Sequence, residues 1–388
     1  MKFLLSVLLT LTTTAALSAP RSDATLLFDG AGQPWNLLDE CELREETARA
    51  RQQPAEAVTD KKILPPGGDA HDFASFGTYW WPDPSKPDGL PYIRRDGQKN
   101  PAFLADSDRS RLDRLCALVA VEAAACHRLG DQTAGSNAVL RLKRFFLDDA
   151  TRMRPHLRFG QAIPGICSGR GIGIIDTRAL ALELLDAILL LRVDGVLEES
   201  TFQGLQAWFA AYLDWLVTSP FGQKEKSEHN NHATSYDLQV AAFALFTGRE
   251  DLARTTLAAV PARLIVRHIQ PDGRQPHELA RTRSLSYSTL NLEYLCALAV
   301  LAKPLGIDLW GYVSEDGRSL PKAVDFLLPY WEGRQSWTLP QITPFPAERP
   351  VTLLGFAARL GHTGTAVARA KALQPRLASR ATRRSSGI

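Results

Sequence analysis

The sequence predicts an all-α protein, a single large α/α toroid of antiparallel helix pairs, and three observations carry that prediction. Apolar residues recur at three- and four-residue spacing along most of the chain from residue 111 onward. Short polar loops separate those runs, alternating strand patterns are scarce, and nothing resembles βαβ alternation. No repeat of fixed period is present, which argues against the ordinary helical-repeat arrays.

Composition sets the outer limits. The chain has 388 residues, 45% hydrophobic and 22% charged, which excludes a disordered polymer, a collagen-like repeat and a polytopic membrane protein. That length accommodates two or three average domains, or one large domain with a sizeable core. The 45 Lys and Arg against 42 Asp and Glu leave a net charge of +3. Such a bias is too small to imply nucleic acid and is compatible with an anionic ligand.

Taken in order, residues 1–18 read as an export signal. Lys2 supplies the positive start, 3–11 the apolar core, and 12–19 the small-residue approach to cleavage, expected after Ser18. An N-terminal anchor or a buried helix is the alternative, but the apolar run is short for a bilayer. No later segment is expected to reach transmembrane length. The mature protein is therefore expected to be periplasmic or secreted, with no membrane association after cleavage. The five cysteines, Cys41, Cys116, Cys126, Cys167 and Cys296, are dispersed and odd in number. Buried free thiols fit them better than a disulfide framework, and the lack of any CxxC pair removes a structural zinc site of that kind.

Residues 40–51 read as a solvated helix, and 63–101, dense in Pro, Gly, Asp and aromatics, as a long irregular stretch. Helical periodicity then predicts helices over 111–128, 136–153, 177–193, 201–217, 233–247, 251–258, 262–267, 290–302, 321–328, 351–359 and 365–373. One domain over 19–375 is expected to hold them, followed by a basic, disordered tail over 376–388. From residue 366 the chain carries Arg369, Lys371, Arg376, Arg380, Arg383 and Arg384 with no acidic residue. A frayed, solvated terminus and a polyanion-binding arm both fit that run.

Four segments spend unusual residues outside helical patterns. The stretch GTYWWPDPSKPDGLPYIR, 77–94, puts Tyr79, Trp80 and Trp81 on a Pro-rich loop. Such rings either pack over a core or line a groove where sugars stack. The stretch GQAIPGICSGRGIG, 160–173, is glycine-rich but is not a phosphate loop, because no strand precedes it and no Lys-Ser pair follows. A connection that places Gln161 and Arg170 near a cleft is more economical. In SEHNNHATSYDLQ, 227–239, Asn230, Asn231 and His232 stand before an apolar helix, where one of them would suffice as a cap. His229 and His232 are three apart, but no third metal ligand is evident, and no metal is expected. Asn231 and His232 are better read as donors into a cavity from a helix N-terminus. Finally, ELARTRSLSY, 278–287, offers Arg281, Arg283 and Tyr287. Arg281 and Tyr287 would not share one straight helical face, which predicts a bend or loop between them.

Together these motifs resemble the alginate lyase superfamily. The sequence is most similar to the uronic-acid-polymer lyases of polysaccharide lyase family thirty-eight, and more distantly to the mannuronate lyases of family five. YWWPDPSKPDGLPYIRRDG, GQAIPGICSGRGIGIIDTR, NNHATSYDLQ and ELARTRSLSY carry the resemblance, spread over most of 64–342. It implies an incomplete (α/α) toroid, a periplasmic address and eliminative cleavage of an acidic polysaccharide, with no cofactor and no obligatory metal. The implied catalytic group is Asn231, His232, Arg281 and Tyr287. Contacts to the sugar chain are expected from Tyr79, Trp80, Trp81, Gln161, Arg170, His229, Tyr236 and Arg283. Two departures stand out. The arginine-to-tyrosine spacing is one residue shorter than in family five, and NNHATSYD has Ala233 and Ser235 where NNHGTWYD is common, removing an aromatic expected to touch sugar.

The chemistry explains the residue types. Elimination at a uronate removes the C5 proton beside a carboxylate and expels the oxygen on C4. The carboxylate must be neutralised before the intermediate can carry more negative charge, which is work for preorganised donors such as Asn231, His232 and an arginine. Tyrosine, with an ordinary pKa of about 10, needs a nearby cation to act as a base, and Arg281 is the expected one. In a syn elimination Tyr287 takes the proton and returns one to the leaving oxygen. For the epimeric uronate His232 would be the base. A glycoside hydrolase would instead need two carboxylates across a cleft, with Asp176, Asp237 and Glu278 as candidates. A carbohydrate-binding protein without turnover is the third reading.

Overall fold

The structure, a computed structural model, describes residues 25–28, 38–103 and 107–362. The expected export signal, the helix at 365–373 and the basic tail lie outside those residues.

Helix α1, Glu40–Arg51, opens on a capping box in which Asp39 accepts from the Glu42 backbone and Glu42 returns to that of Asp39. It is less solvated than its charge suggests, because Leu43, Glu46, Thr47 and Ala50 are buried. Helix α2, Asp108–Leu129, ends where Gly130 turns left-handed at φ 66, and Asp131 then caps α3, Gln132–Phe146. A two-residue turn makes α2 and α3 an antiparallel pair. Arg141 of α3 locks it by pairing with the fully buried Glu122 of α2 while donating to the Ala50, Gln53 and Pro54 carbonyls past α1.

The helix expected over 177–193 starts irregularly. A 3₁₀ stretch Gly171–Thr177 and one π turn, Leu180–Leu184, precede the regular α4, Leu185–Val193. The wider π turn carries Leu182 and Glu183 into the wall of the cleft described below. Then come α5, Glu199–Thr218, α6, Pro220–Lys226, α7, Asn231–Phe246, and α8, Glu250–Ala258. A second π turn, Pro261–Ile265, leads into α9, Val266–His268, followed by α10, Pro276–Leu279. The chain continues through α11, Ser284–Ala302, α12, Leu320–Trp331, and α13, Val351–Arg359.

Helices α7 and α11 are apolar all round because each is buried all round. The segment Ser284–Leu305 is in fact long and apolar enough to cross a membrane, contrary to the expectation from sequence, but 83% of its apolar window is buried inside the protein. It is the core helix of the toroid. Strands are short. β1, Ala74–Phe76, pairs in parallel with β4, Phe159–Ala162, and β2, Trp80–Trp81, pairs antiparallel with β3, Ile93–Arg94. Cys116, Cys126 and Cys296 are buried free thiols, Cys167 is half-buried and Cys41 is exposed. The all-α toroid of antiparallel helix pairs is therefore the architecture, with loops and short ribbons gathered over one end of it.

Candidate active site

A cleft of about 650 Å³ opens where the 77–99 loop, the irregular 170–183 segment, the start of α7 and the α10–α11 turn converge. Eight Arg or Lys side chains line it (Arg94, Lys99, Arg109, Arg170, Arg178, Arg281, Arg283 and Arg349) against four carboxylates (Asp113, Glu183, Glu228 and Glu293). The nearly balanced charge of the whole chain is thus strongly positive here, and the cleft suits an anion.

At the start of α7, Asn230 is the cap, accepting from the His232 backbone N–H at 3.2 Å. That frees Asn231 and His232, the next two residues, to serve the cleft they line. Each is backed by a buried carboxylate. Glu278 of α10 accepts from the Asn231 backbone at 2.6 Å and from its Nδ2 at 2.9 and 3.1 Å. The nitrogen expected to point only at a ligand therefore also holds Glu278. Glu225 of α6, with no exposed surface, lies 3.0 and 3.2 Å from His232 Nδ1, which leaves Nε2 for the cleft. Burial by itself lowers the His232 pKa, but the Glu225 carboxylate, with Glu278 and Glu228 behind it, outweighs that, and the imidazole sits above its ordinary value.

Tyr287 stands in the first turn of α11, and the Arg281 guanidinium lies 4.0 Å from its ring centre. Asp96 clamps Arg281 at 2.9 and 3.2 Å and accepts from Thr282 Oγ1 at 2.9 Å. Gly97 makes that clamp possible, since a Cβ there would come within 2.4 Å of Thr282 Oγ1 at a φ of +74. The Tyr287 hydroxyl is 2.5 Å from that of Tyr79. Burial pushes the Tyr287 phenol above its ordinary pKa, Tyr79 adds to the rise, and Arg281 pulls the other way. The sequence-based expectation that Arg281 lowers the phenol is right in sign and insufficient in size. Burial wins, and Asp96 already shares the arginine's charge.

The other expected contacts divide. Trp80 lines the cleft, whereas Trp81, its neighbour on β2, faces the other way, donating from Nε1 to the Gln98 carbonyl at 3.0 Å beneath Arg95. Successive strand residues point to opposite faces, so only one of two adjacent indoles can reach the cleft. Tyr236 is also removed from the site: it is 3% exposed, in the core, and donates to the Leu216 carbonyl. Ser235 is fully buried, so an aromatic at that position would meet core and not sugar. Gln161 and Arg170 both line the cleft, but the Gln161 side chain is committed, donating to Asp176 at 2.8 Å and accepting from Arg170. Its backbone is left-handed at φ 52, a conformation a side chain rarely takes, which turns it under Arg170. His229 lines the cleft edge-on to His277 with ring centres 4.7 Å apart, and Arg283 lines it with its Nε buried and unpartnered.

None of the three carboxylates considered for a hydrolase lines the cleft. Asp176 is fully buried under Ser75, Gln161 and Arg109, Asp237 is 2% exposed against Arg263, and Glu278 is 1% exposed against Asn231. Among the described residues no group of three or more His, Cys, Asp or Glu is arranged to hold a metal. Sequence reasoning missed Glu225, Asp96, Lys99, Arg109, Arg178, His277 and Arg349. Asp96 and Arg178 lie inside the motifs YWWPDPSKPDGLPYIRRDG and GQAIPGICSGRGIGIIDTR, and Glu225 lies just before the polar run that holds His232, so these three left a trace that could have found them.

The architecture and the cleft place the chain among the polysaccharide lyases. A sequence profile described as alginate lyase matches residues 57–337, and the chain belongs to that family. An alginate lyase structure from Bacteroides ovatus is 36% identical, covering 90% of this chain and 91% of its own, with a TM-score of 0.81. The structure of alginate lyase A1-III from Sphingomonas species A1 is 15% identical, covering 89% of this chain and 95% of its own, with a TM-score of 0.48. No curated protein matches the sequence.

Proposed function

We propose that this lyase is exported to the periplasm or the medium and cleaves a uronic-acid polymer, alginate rich in mannuronate or glucuronan, by syn β-elimination. The observation that carries the reading is that Tyr287, Asn231, His232 and Arg281 all line one strongly cationic cleft. The substrate carboxylate sits at the start of α7. Asn231, whose Nδ2 has two hydrogens, gives one to Glu278 and one to the ligand. His232 Nε2–H donates as an imidazolium, a role that its raised pKa supports over that of a base. With the carboxylate neutralised, the C5 proton becomes acidic enough to remove.

Tyr287 acts as the phenolate. Its resting proton passes to solvent through the cleft before reaction, and Arg281 over the ring favours the anion against burial and the Tyr79 contact, which oppose it. It takes the C5 proton, the C4–O4 bond breaks, a C4–C5 double bond forms, and the proton passes to O4 of the leaving sugar. One group suffices because both atoms lie on one face of mannuronate and glucuronate, which share their C4 and C5 configuration. The similar Bacteroides ovatus protein is an alginate lyase, which supports alginate as the first substrate to try. The test is a panel of mannuronate-rich alginate, guluronate-rich alginate and glucuronan, read by ultraviolet absorbance of the unsaturated product end. Turnover of guluronate blocks alone would overturn the single-face mechanism.

A further inference from the structure

The catalytic donors at the start of α7 have a second layer. Resting on the reading of His232 as the group that neutralises the substrate, we propose that Glu225 is a positioning residue that keeps His232 an imidazolium with Nε2–H aimed into the cleft. Glu225 lies on α6, a separate short helix, and has no exposed surface. Its carboxylate oxygens are 3.0 and 3.2 Å from His232 Nδ1, and no other protein group is bonded to that nitrogen among the described residues. The imidazole side chain keeps 17% of its surface, on the cleft side.

A buried carboxylate facing an imidazole holds a proton on the shared nitrogen in the neutral and the charged ring alike, and its negative charge favours the charged ring. Both ring nitrogens are then donors. The surrounding charges agree in sign. Glu278 from α10 and Glu228 beyond α6 also favour the charged ring, and burial opposes it. Around Glu225 itself, Glu228 and Asp176 disfavour a second negative charge, His232 favours it, and burial disfavours it most. Arg170 and Tyr212 complete the set of charged or titratable neighbours. The parallel pair, Glu278 on Asn231, orients an amide that does not titrate, so the two carboxylates should differ in how their loss depends on pH.

Glu225→Gln tests this, because glutamine keeps the shape and can still accept from Nδ1–H while losing the charge. Nuclear magnetic resonance titration of His232 in the substrate-free enzyme should show its pKa falling by about 1–3 units, the shift produced by removing an adjacent opposite charge. At pH values above both pKa values turnover should fall about tenfold per unit of that shift. The limb of the pH–rate profile that tracks His232 should move to lower pH by the same amount. Glu278→Gln should lower turnover and move that limb less than Glu225→Gln does, since Glu278 acts on the ring only from a distance. Glu225→Asp, which keeps the charge, should restore most of the His232 pKa, and it stands in if the glutamine variant does not fold. An unchanged His232 pKa in Glu225→Gln overturns the proposal, as does a lowered pKa with undiminished turnover. Failure of the wild type to release unsaturated products from any polyuronate would sink the functional reading instead, and leave the titration result standing.

Discussion

The guanidinium of Arg281 lies 4.0 Å from the centre of the Tyr287 ring, although the two residues are six apart in sequence and belong to different elements. Arg281 sits in the turn between α10 and α11, and Asp96, from a loop almost two hundred residues earlier, fixes it there. The phenol thus meets a cation that is itself held. Tyr287→Phe should lower turnover by about 10²–10⁴-fold, the usual worth of a positioned proton-transfer group, with little change in melting temperature. Arg281→Lys should cost about 10–100-fold, the worth of a charge-assisted hydrogen bond, because an ammonium cannot both fork onto Asp96 and cover the ring. Initial rates from product absorbance, beside thermal melts, check both. Near wild-type rates in Tyr287→Phe would remove it from the mechanism.

Tyr79→Phe deletes only the hydroxyl that meets Tyr287. A single hydrogen bond is worth about 0.5–1.5 kcal/mol, so turnover should drop roughly 2–10-fold while binding of the polymer changes little. A loss of kcat that is the same across pH assigns Tyr79 to orienting the Tyr287 oxygen, and undiminished turnover would remove it from the mechanism.

Lys99 lines the cleft and has no hydrogen bond or ion pair among the described residues. Its contribution should be long-range and screenable. Lys99→Met should raise KM for a polyuronate in dilute buffer, and the difference from wild type should shrink as ionic strength passes about 0.15 M. A salt-independent KM would show that Lys99 is an ordinary surface lysine.

His268 predicts acid sensitivity. It is 2% exposed, Thr234 Oγ1 lies 3.2 Å from its Nδ1, and burial lowers its pKa to about 3. The unfolded chain binds the proton near 6.5 and the folded chain does not, so the stability tied to this residue is full above 6.5. It is lost as pH falls from there towards 3, and the total is on the order of several kcal/mol. Denaturant melts of wild type and His268→Gln across that window should converge as pH falls, and parallel curves would refute the assignment.

Arg263 pairs with Asp237 at 2.8 Å in the second layer behind α7. Arg263→Ala should destabilise the fold by about 3–5 kcal/mol by stranding a buried carboxylate. The specific activity of the folded fraction should survive, because neither residue lines the cleft. Loss of activity in molecules that remain folded would bring this pair into the site.

The sequence by itself determined the longer helices, since periodic burial is a local property that one face of each segment carries, but not the short α6 and α10, and it singled out several of the polar residues that line the cleft. The start of α7 and the bend between Arg281 and Tyr287 were legible because capping and helical phase are set by neighbours. Only the tertiary structure decided that Trp80 enters the cleft and Trp81 leaves it, that Tyr236 and Ser235 belong to the core, and that Asp176, Asp237 and Glu278 are bound away from any substrate. It alone brought Asp96 to Arg281 and Tyr79 to Tyr287. The physical reason is that charge pairing, burial and the pKa values they set depend on distances across the chain, and no local pattern records which distant side chain will supply the partner.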